Sequence, residues 1–396
     1  MNAWERCPAL ACMKGWGGGR RDRRVAPGSL HAGRGAGFRF AQFLLVCLLG
    51  LACVAAQASD GKDMRPDGTV TAASVAIPYS TFASPQARAF FPKMLAASAK
   101  APPLGAPIEQ SRAFYGRLNS DRAARMRKLY PVTVRHVTIA GVGADAVLPA
   151  QGVSPANRHR VLINLHGGAF LWGAGSGGLV EAIPIASLGR IEVITLDYRQ
   201  GPEHAFPAAS EDVEAVYREL LKRYGPKQIG IYGCSAGGIL TGEAVARFIA
   251  HKLPVPGAIG TFCGSLVTID GDSAYVGPLL NGQGVPAHPL QLLALPYFRG
   301  ANADDPMVQP GLSPALLKQF PPTLLITGTR DMAMGSVVHS QALLAQAGVE
   351  AELHVWEGMW HSFFSDPELP ESQQAYRTIV AFFERHLAPS QEEAHP

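Results

Sequence analysis

The sequence contains few cysteines and few charged residues. Of its 396 residues, six are cysteine and 17% are charged. Four of the cysteines precede residue 59, which leaves Cys234 and Cys263 for the rest of the chain. Two cysteines form neither a disulfide framework nor a metal site of their own. We therefore expect both to pack at the ends of buried strands, while the sequence leaves open whether they pair.

Outside the first 58 residues the chain has no excess of positive charge. Residues 1–58 hold eight of the 35 Lys and Arg but two of the 31 Asp and Glu, so residues 59–396 carry a net charge of −2. A basic surface is what proteins use to bind nucleic acid, and here the basic residues are confined to the leader. We therefore expect no nucleic-acid partner.

The chain also lacks an apolar run of the length that spans a membrane. The run Phe43–Ala56 is shorter than the roughly 20 residues that a transmembrane helix needs. Arg34 and Arg39 precede the run and an Ala-Gln-Ala tripeptide ending at Ala58 follows it, which is the pattern of a secretory signal. A membrane anchor and a buried N-terminal helix are the alternatives. We expect export to the periplasm or the medium, with cleavage after Ala58 and no stable membrane span afterwards.

The remaining residues divide into four segments. Residues 59–83 predict a linker, 84–130 two helices separated by a Pro-rich break, and 389–396 a short tail. In residues 131–388 two strands are followed by an alternation of buried strands and amphipathic helices, which is typical of a mostly parallel sheet covered on both faces. We predict an α/β fold of eight strands. The last six strands are RVLINLHGG, IEVITLDYR, KQIGIYGCS, GAIGTFCGS, TLLITGT and AELHVWEG.

Ser235 is the strongest candidate for a reactive residue. It lies between Gly233 and Gly237, where a predicted strand ends and a helix begins, and a G-x-S-x-G turn of this kind exposes a serine hydroxyl. A serine is a weak nucleophile at neutral pH and needs a base. His361 follows the last strand, in the loop EGMWHSFF, from which an imidazole can reach Ser235. Two other histidines are less suitable as the base, since His354 lies within a predicted strand and His386 on the predicted terminal helix.

Asp331 and a glycine-containing loop complete the predicted site. Asp331 ends the strand before the last one and would orient His361, and the order Ser–Asp–His is that of α/β-hydrolases. The segment NLHGGAF follows the first parallel strand. The amides of Gly167 and Gly168, together with that of Ala236, are predicted to bind the developing oxyanion.

These motifs resemble one family of enzymes. HGGAF, DYRQGPEHAFPAASEDV, GCSAGG and WHSFF are similar to the hormone-sensitive-lipase-like group of α/β-hydrolases, from about residue 84 to residue 387. The resemblance implies an α/β-hydrolase fold with a small N-terminal helical cap, a serine esterase activity through Ser235, His361 and Asp331, and no cofactor. Three departures are Ala169 in place of a third glycine, Cys234 in place of an acidic residue, and Met-Ala after Asp331 in place of Pro-Leu. Aromatic residues predicted to line the substrate pocket are Phe170, Trp172, Phe206 and Trp360.

The sequence therefore predicts a serine esterase acting on small, fairly apolar acyl esters through an acyl-enzyme. A lactone or an N-acetyl amide is the alternative substrate, and a non-catalytic small-molecule binding protein on the same fold is the alternative class. His354, Glu357 and His361 lack the HExxH spacing of a zinc site, so we expect no metal. The expected partner is a small-molecule ester, and the oligomeric state is left open.

Overall fold

The computed structural model describes residues 76–389. The predicted signal peptide, its cleavage site after Ala58 and nearly all of the predicted tail lie outside the described residues. A compact unit begins at Ile77, within the segment that the sequence assigned to a linker. Tyr79 donates a hydrogen bond to the carbonyl of Gly358 at 2.9 Å and its ring packs on Phe91. Residues 77–83 are therefore part of the folded unit.

Eight strands form one sheet in the order β1-β2-β4-β3-β5-β6-β7-β8. β2 pairs antiparallel with β1 and β4, and every other neighbouring pair is parallel. The predicted mostly parallel, eight-stranded α/β fold is confirmed. The strands are β1 Val132–Ile139, β2 Val142–Pro149, β3 Val161–Leu165, β4 Glu192–Leu196, β5 Ile229–Cys234, β6 Ala258–Phe262, β7 Thr323–Gly328 and β8 Ala351–Trp356.

Helices cover both faces of the sheet, and two buried apolar clusters lie between them and the strands. The strands β3, β5, β6 and β7 are buried along their whole length, which explains their continuous apolar sequences. The α-helices are α1 Pro85–Ser98, α2 Ile108–Leu129, α3 Ser176–Gly189, α4 Ala208–Leu220, α5 Ala236–Ala250, α6 Asp272–Leu280, α7 Pro314–Leu317, α8 Met334–Gln346 and α9 Pro370–His386. None of the helices within residues 76–389 has the length and apolar character to cross a bilayer.

The first two helices are fixed to the sheet domain by polar contacts at their ends. Ser84 precedes α1, where its hydroxyl caps the helix by accepting from the amide of Ala87 and donates in turn to Glu371 of α9. Arg112 of α2 donates to the carbonyls of Leu171 and Gly201. Because Leu171 directly follows the glycine-containing loop, α2 is held against the segment that leaves the carboxyl end of β3.

Sheet order brings two segments of the predicted site together. β3 and β5 are neighbours, with Leu165 opposite Gly233. The glycine-containing loop leaves β3 and the turn at Ser235 leaves β5, so both emerge side by side at the carboxyl edge of the sheet. In open parallel sheets this edge is where ligands bind.

Candidate active site

Ser235 occupies a strained turn between β5 and α5. Its backbone has φ 57° and ψ −120°, a conformation that costs an ordinary residue about 1–3 kcal/mol. The turn is possible because its flanking residues are glycines: a Cβ on Gly233 or Gly237 would overlap the carbonyl oxygen of Leu165. The turn therefore presents the hydroxyl at the sheet edge while α5 packs closely on β3.

The imidazole of His361 lies between Ser235 and Asp331. Its Nε2 is 2.8 Å from Oγ of Ser235 and its Nδ1 is 2.7 Å from Oδ1 of Asp331. The hydroxyl of Thr327 and the amide of Ala333 both donate to the Asp331 carboxylate at 2.9 Å. The structure thus brings together three side chains that lie far apart in the sequence. With Nδ1–H donating to the carboxylate, Nε2 is free to accept the serine proton.

His361 and Asp331 shift each other's pKa. Burial alone would lower the pKa of His361, but the negative charge of Asp331 and the hydrogen bond between them outweigh it and raise that pKa. Burial would raise the pKa of Asp331, yet the His361 charge and the hydrogen bonds it accepts lower it. Asp331 is therefore ionised near neutral pH, as an orienting carboxylate must be.

The glycine-containing loop differs from the sequence expectation at one residue. The amide of Gly167, predicted to bind an oxyanion, already donates to Oε1 of Glu181 at 2.8 Å, so we correct that assignment. Among the described residues no protein acceptor receives the amides of Gly168, Ala169 or Ala236. Ala169 has φ 54°, and this left-handed backbone follows Gly168 at φ 128°. The available amide donors are thus those of Gly168, Ala169 and Ala236.

Of the predicted pocket residues, Phe170 is in the core. It is fully buried, stacks on Tyr297 with ring centroids 4.7 Å apart, and contacts Tyr198 and Phe298 edge-on. With no surface exposed, it cannot line a substrate pocket in this structure, and that expectation is corrected. Phe206 is partly exposed and stacks on Phe298 at 6.0 Å.

The two predicted tryptophans contact the first two helices. Trp360, next to His361, stacks on Phe90 of α1 at 5.9 Å. Trp172 stacks on Tyr115 of α2 at 4.4 Å, with the ring planes nearly parallel. Trp172 also borders a cavity of about 450 Å³ whose lining includes Arg112, Asn119, Gln200 and Glu203. Aromatic pairs therefore connect both helices to loops of the site.

Both cysteines lie beside the site as free thiols. Cys234 Sγ is 2.9 Å from Oγ of Ser362, and the amide of Ser362 donates to Cys263 Sγ at 3.3 Å. Within residues 76–389, one group of side chains has the composition of a metal site, and it comprises Cys263, Asp331 and His361 with ligand atoms within 4.8 Å of one another. Since His361 and Asp331 already bind each other, this group is accounted for as a hydrogen-bonded network.

Two residues of the site are absent from the sequence prediction. Glu181 contacts the glycine-containing loop, and Ser362 contacts both thiols. Glu181 has a signal that sequence reasoning can use, because it is the sole charged residue of the otherwise apolar helix α3, SGGLVEAIPIASLG. A lone charge in such a helix needs a polar partner. Ser362 has no comparable signal.

Comparison with known proteins identifies relatives of this chain. A family model described as the alpha/beta hydrolase fold matches residues 162–365. The esterase LipU of Mycobacterium tuberculosis is 32% identical over 282 residues, covering 65% of this chain and 89% of LipU. An acetyl-hydrolase of Streptomyces hygroscopicus is 26% identical over 254 residues, covering 63% of this chain and 81% of the relative.

Solved structures agree with these sequence matches. The crystal structure of the esterase E25 superposes with a TM-score of 0.71 at 32% identity, over 81% of this chain and 99% of E25. An esterase from the bacterial hormone-sensitive lipase family superposes with a TM-score of 0.66 at 25% identity, over 77% of this chain and 99% of that one. The similarity therefore covers nearly the whole length of both solved esterases.

Proposed function

The chain belongs to the α/β-hydrolases, in their hormone-sensitive-lipase-like group, and is a carboxylesterase-type hydrolase; we propose that it cleaves small, fairly apolar acyl esters through Ser235. The observation that carries the proposal is the contact between His361 Nε2 and Ser235 Oγ at 2.8 Å. A hydroxyl hydrogen-bonded to a neutral imidazole, which is itself oriented by a carboxylate, is an activated nucleophile.

The proposed reaction begins with transfer of the Ser235 proton to His361 Nε2 as Oγ attacks the ester carbonyl carbon. The carbonyl oxygen becomes an oxyanion, which the amides of Gly168, Ala169 and Ala236 stabilise as hydrogen-bond donors. The tetrahedral intermediate collapses, the bond to the alkoxy oxygen breaks, and His361 returns its proton to the leaving alcohol. Water activated by His361 then attacks the acyl-enzyme and releases the carboxylic acid with Ser235 regenerated.

Asp331 stabilises the charged form of His361 through both steps. Its carboxylate fixes the Nδ1–H tautomer and interacts favourably with the imidazolium that forms during attack. The raised pKa of His361 and the lowered pKa of Asp331 have the directions that this role requires.

The aromatic surroundings support a fairly apolar substrate. Trp360 directly precedes His361 and stacks on Phe90, whereas Trp172 follows the glycine-containing loop and stacks on Tyr115. Aromatic pairs thus flank the loop that carries His361 on one side and the glycine-containing loop, hereafter the oxyanion loop, on the other. Pockets for apolar ligands are lined mainly by such side chains, with a few polar groups that fix orientation.

An acetylated amide is the second candidate substrate. The Streptomyces hygroscopicus relative is named an acetyl-hydrolase, which favours an acetyl group as the acyl part of the substrate, and both esters and amides carry acetyl groups. Amide and ester hydrolysis share the attack and oxyanion steps and differ in the leaving group. A lactone is a third possibility on the same machinery, and a non-catalytic binding role is the alternative in which no turnover occurs.

A substrate panel tests the proposal. p-Nitrophenyl esters of increasing acyl length, lactones and N-acetyl amides are compared at equal enzyme concentration, and short acyl esters are expected to have the highest kcat/KM. Ser235→Ala is expected to lose at least about a thousandfold in turnover. Ser98→Ala, an exposed serine at the end of α1, is the matched control and keeps wild-type rates. Retention of turnover by Ser235→Ala contradicts the mechanism.

We also propose export, since the pattern ending at Ala58 is that of a cleaved signal. Mass spectrometry of the protein recovered from the cell envelope and medium of a bacterial host tests this. A mature chain beginning at Ser59 supports export with cleavage, an intact leader in protein from the envelope contradicts cleavage after Ala58, and recovery of the protein from the cytoplasm alone contradicts export.

A further inference from the structure

One carboxyl group, in addition to that of Asp331, contacts three segments of the site. Glu181 lies on α3, and its Oε1 accepts from the amide of Gly167 at 2.8 Å. Its Oε2 accepts from Asn164 Nδ2 at 3.0 Å and from the amide of Cys234 at 3.2 Å. These donors belong to the oxyanion loop, the end of β3 and the residue before the nucleophile, respectively.

The geometry around Glu181 leaves it little freedom. The hydroxyl of Thr195 donates to Oδ1 of Asn164 at 2.8 Å, which directs the Asn164 amide group toward Glu181. The backbone of Glu181 is also held, because Tyr232 donates to its carbonyl at 3.2 Å. Every contact made by the carboxyl group is one in which it accepts, and an ionised carboxylate is the form suited to this.

The oxyanion loop and the nucleophile are in direct contact at this point. A Cβ built on Gly167 would lie 3.4 Å from Ser235 Cβ, so Gly167 packs against the nucleophile. Gly168 and Ala169, whose amides are free of protein acceptors within the described residues, follow it in the chain. The hydrogen bonds from Gly167 and Cys234 to one carboxylate therefore set the distance between the two parts of the oxyanion hole.

We propose that Glu181 is a positioning residue: its carboxylate ties the oxyanion loop to the turn at Ser235 and so aligns the Gly168 and Ala169 amides with the developing oxyanion. This inference rests on the proposed ester hydrolysis. Glu181 itself touches no reacting atom and acts through Gly167. Its loss should affect the transition state more than substrate binding, since the oxyanion exists only after attack begins.

The protonation state of Glu181 provides a readout that a purely structural role would not move. Desolvation raises the pKa of the Glu181 carboxyl to about 7, even with the three hydrogen bonds lowering it. The titratable groups facing it are Tyr198, just beyond the end of β4, and Tyr232 and Cys234 on β5. Burial raises the pKa of all three, so they stay neutral while Glu181 titrates. Protonation weakens the three contacts, because charged acceptors form the stronger hydrogen bonds.

The experiment is a pH profile of p-nitrophenyl acetate hydrolysis by wild type and Glu181→Gln, followed at a wavelength where product absorbance is independent of pH. On the acid side, log(kcat/KM) of wild type should rise with a slope above one over the range in which both His361 and Glu181 lose a proton, and with a slope of about one below that range, where protonated Glu181 leaves partial activity. In Glu181→Gln the slope should nowhere exceed one. Its kcat should drop about ten- to a hundredfold with KM changed much less.

Glu243→Gln is the matched control. Glu243 on α5 is also buried and has a raised pKa, but its carboxyl bonds Ser210 and makes no hydrogen bond to the site. This variant should keep the wild-type kcat and slope. Unchanged kcat and slope in Glu181→Gln would overturn the positioning role while ester hydrolysis stands, whereas failure of wild type to hydrolyse any ester contradicts the proposed function instead.

The wild-type profile supplies a test that needs no variant. A wild-type slope that nowhere exceeds one counts against the inference even if Glu181→Gln does not fold. A slope above one that persists in a folded Glu181→Gln also overturns it, because the second proton then belongs to another group.

Discussion

Cys234 Sγ lies 2.9 Å from Oγ of Ser362, so the residue before the proposed nucleophile touches the residue after the proposed base. Ser362 has a left-handed backbone with φ 57° and ψ 34°, and its amide donates to Cys263 Sγ. The two thiols therefore support the backbone that carries His361. Burial raises the pKa of both thiols, so they stay neutral while they contact Ser362.

Cys234→Ala is expected to lower kcat by no more than about tenfold, because one neutral hydrogen bond contributes about 1 kcal/mol. Ser362→Ala removes the same contact from the other side. The double variant should then be little worse than either single variant, since the interaction is lost once. Steady-state kinetics of the three variants measure this coupling, and strictly additive losses would show that the contact does not support His361.

Asp331→Asn is expected to lower kcat by about 10³–10⁴, because an amide cannot hold the required imidazole tautomer. The pH profile should move as well. In wild type the Asp331 charge raises the His361 pKa, so the base stays protonated and inactive to a higher pH. Without the charge, burial lowers that pKa and the acid limb of kcat/KM moves to lower pH. An acid limb that stays in place or moves upward would contradict the assignment of His361 as base.

Arg112→Ala should raise KM several-fold and lower the free energy of unfolding by about 1 kcal/mol. The variant loses the hydrogen bonds to the Leu171 and Gly201 carbonyls that hold α2 to the sheet domain. Glu203→Gln is the control: the ion pair with Arg112 is exposed, and such pairs contribute little. Denaturant unfolding measures the free energy of unfolding of each variant, and substrate titration measures its KM. Equal effects of the two variants would assign the anchoring to the ion pair instead.

Glu243→Gln should make the protein more stable than wild type as pH rises. The folded-state pKa of Glu243 is raised well above its ordinary value by burial, so ionisation favours the unfolded chain. Wild type thus loses stability as pH increases above the unfolded pKa, and the glutamine variant does not. Thermal unfolding from about pH 5 to about pH 8 should show a widening gap between their Tm values. Glu219→Gln, at a half-buried residue of α4, is the control without such a gap. A gap for Glu243→Gln that narrows with pH contradicts the prediction.

The sequence predicts the fold well because its strongest signals are local. Buried parallel strands are continuous apolar runs, and reactive residues at strand ends share one edge of the sheet. These two signals predict from the sequence alone that Ser235, Asp331 and His361 lie near one another. The orientation of a single backbone or side-chain group depends on residues distant in the sequence. The sequence therefore does not reveal that the Gly167 amide donates a hydrogen bond to Glu181 of α3.

The same limit applies to aromatic residues beside the site. Phe170 is adjacent to the oxyanion loop in sequence, but its left-handed backbone at φ 59° accompanies a side chain that packs in the core. Residues 77–83 follow a segment with the composition of a tether, yet the hydrogen bond from Tyr79 to Gly358 joins groups that are 279 residues apart. Contacts of this kind depend on tertiary structure, which composition does not encode.

The pairing of β3 with β5 has a consequence for how such proteins diversify. The chain between these neighbouring strands runs through α3, β4 and α4 before it returns, and α3 contributes Glu181 to the oxyanion loop. Substitutions in that segment at residues that do not bind the oxyanion loop, unlike Glu181, can change the surroundings of the centre while the two backbone segments that receive the negative charge stay in register. New substrate preferences can therefore evolve without rebuilding the chemistry.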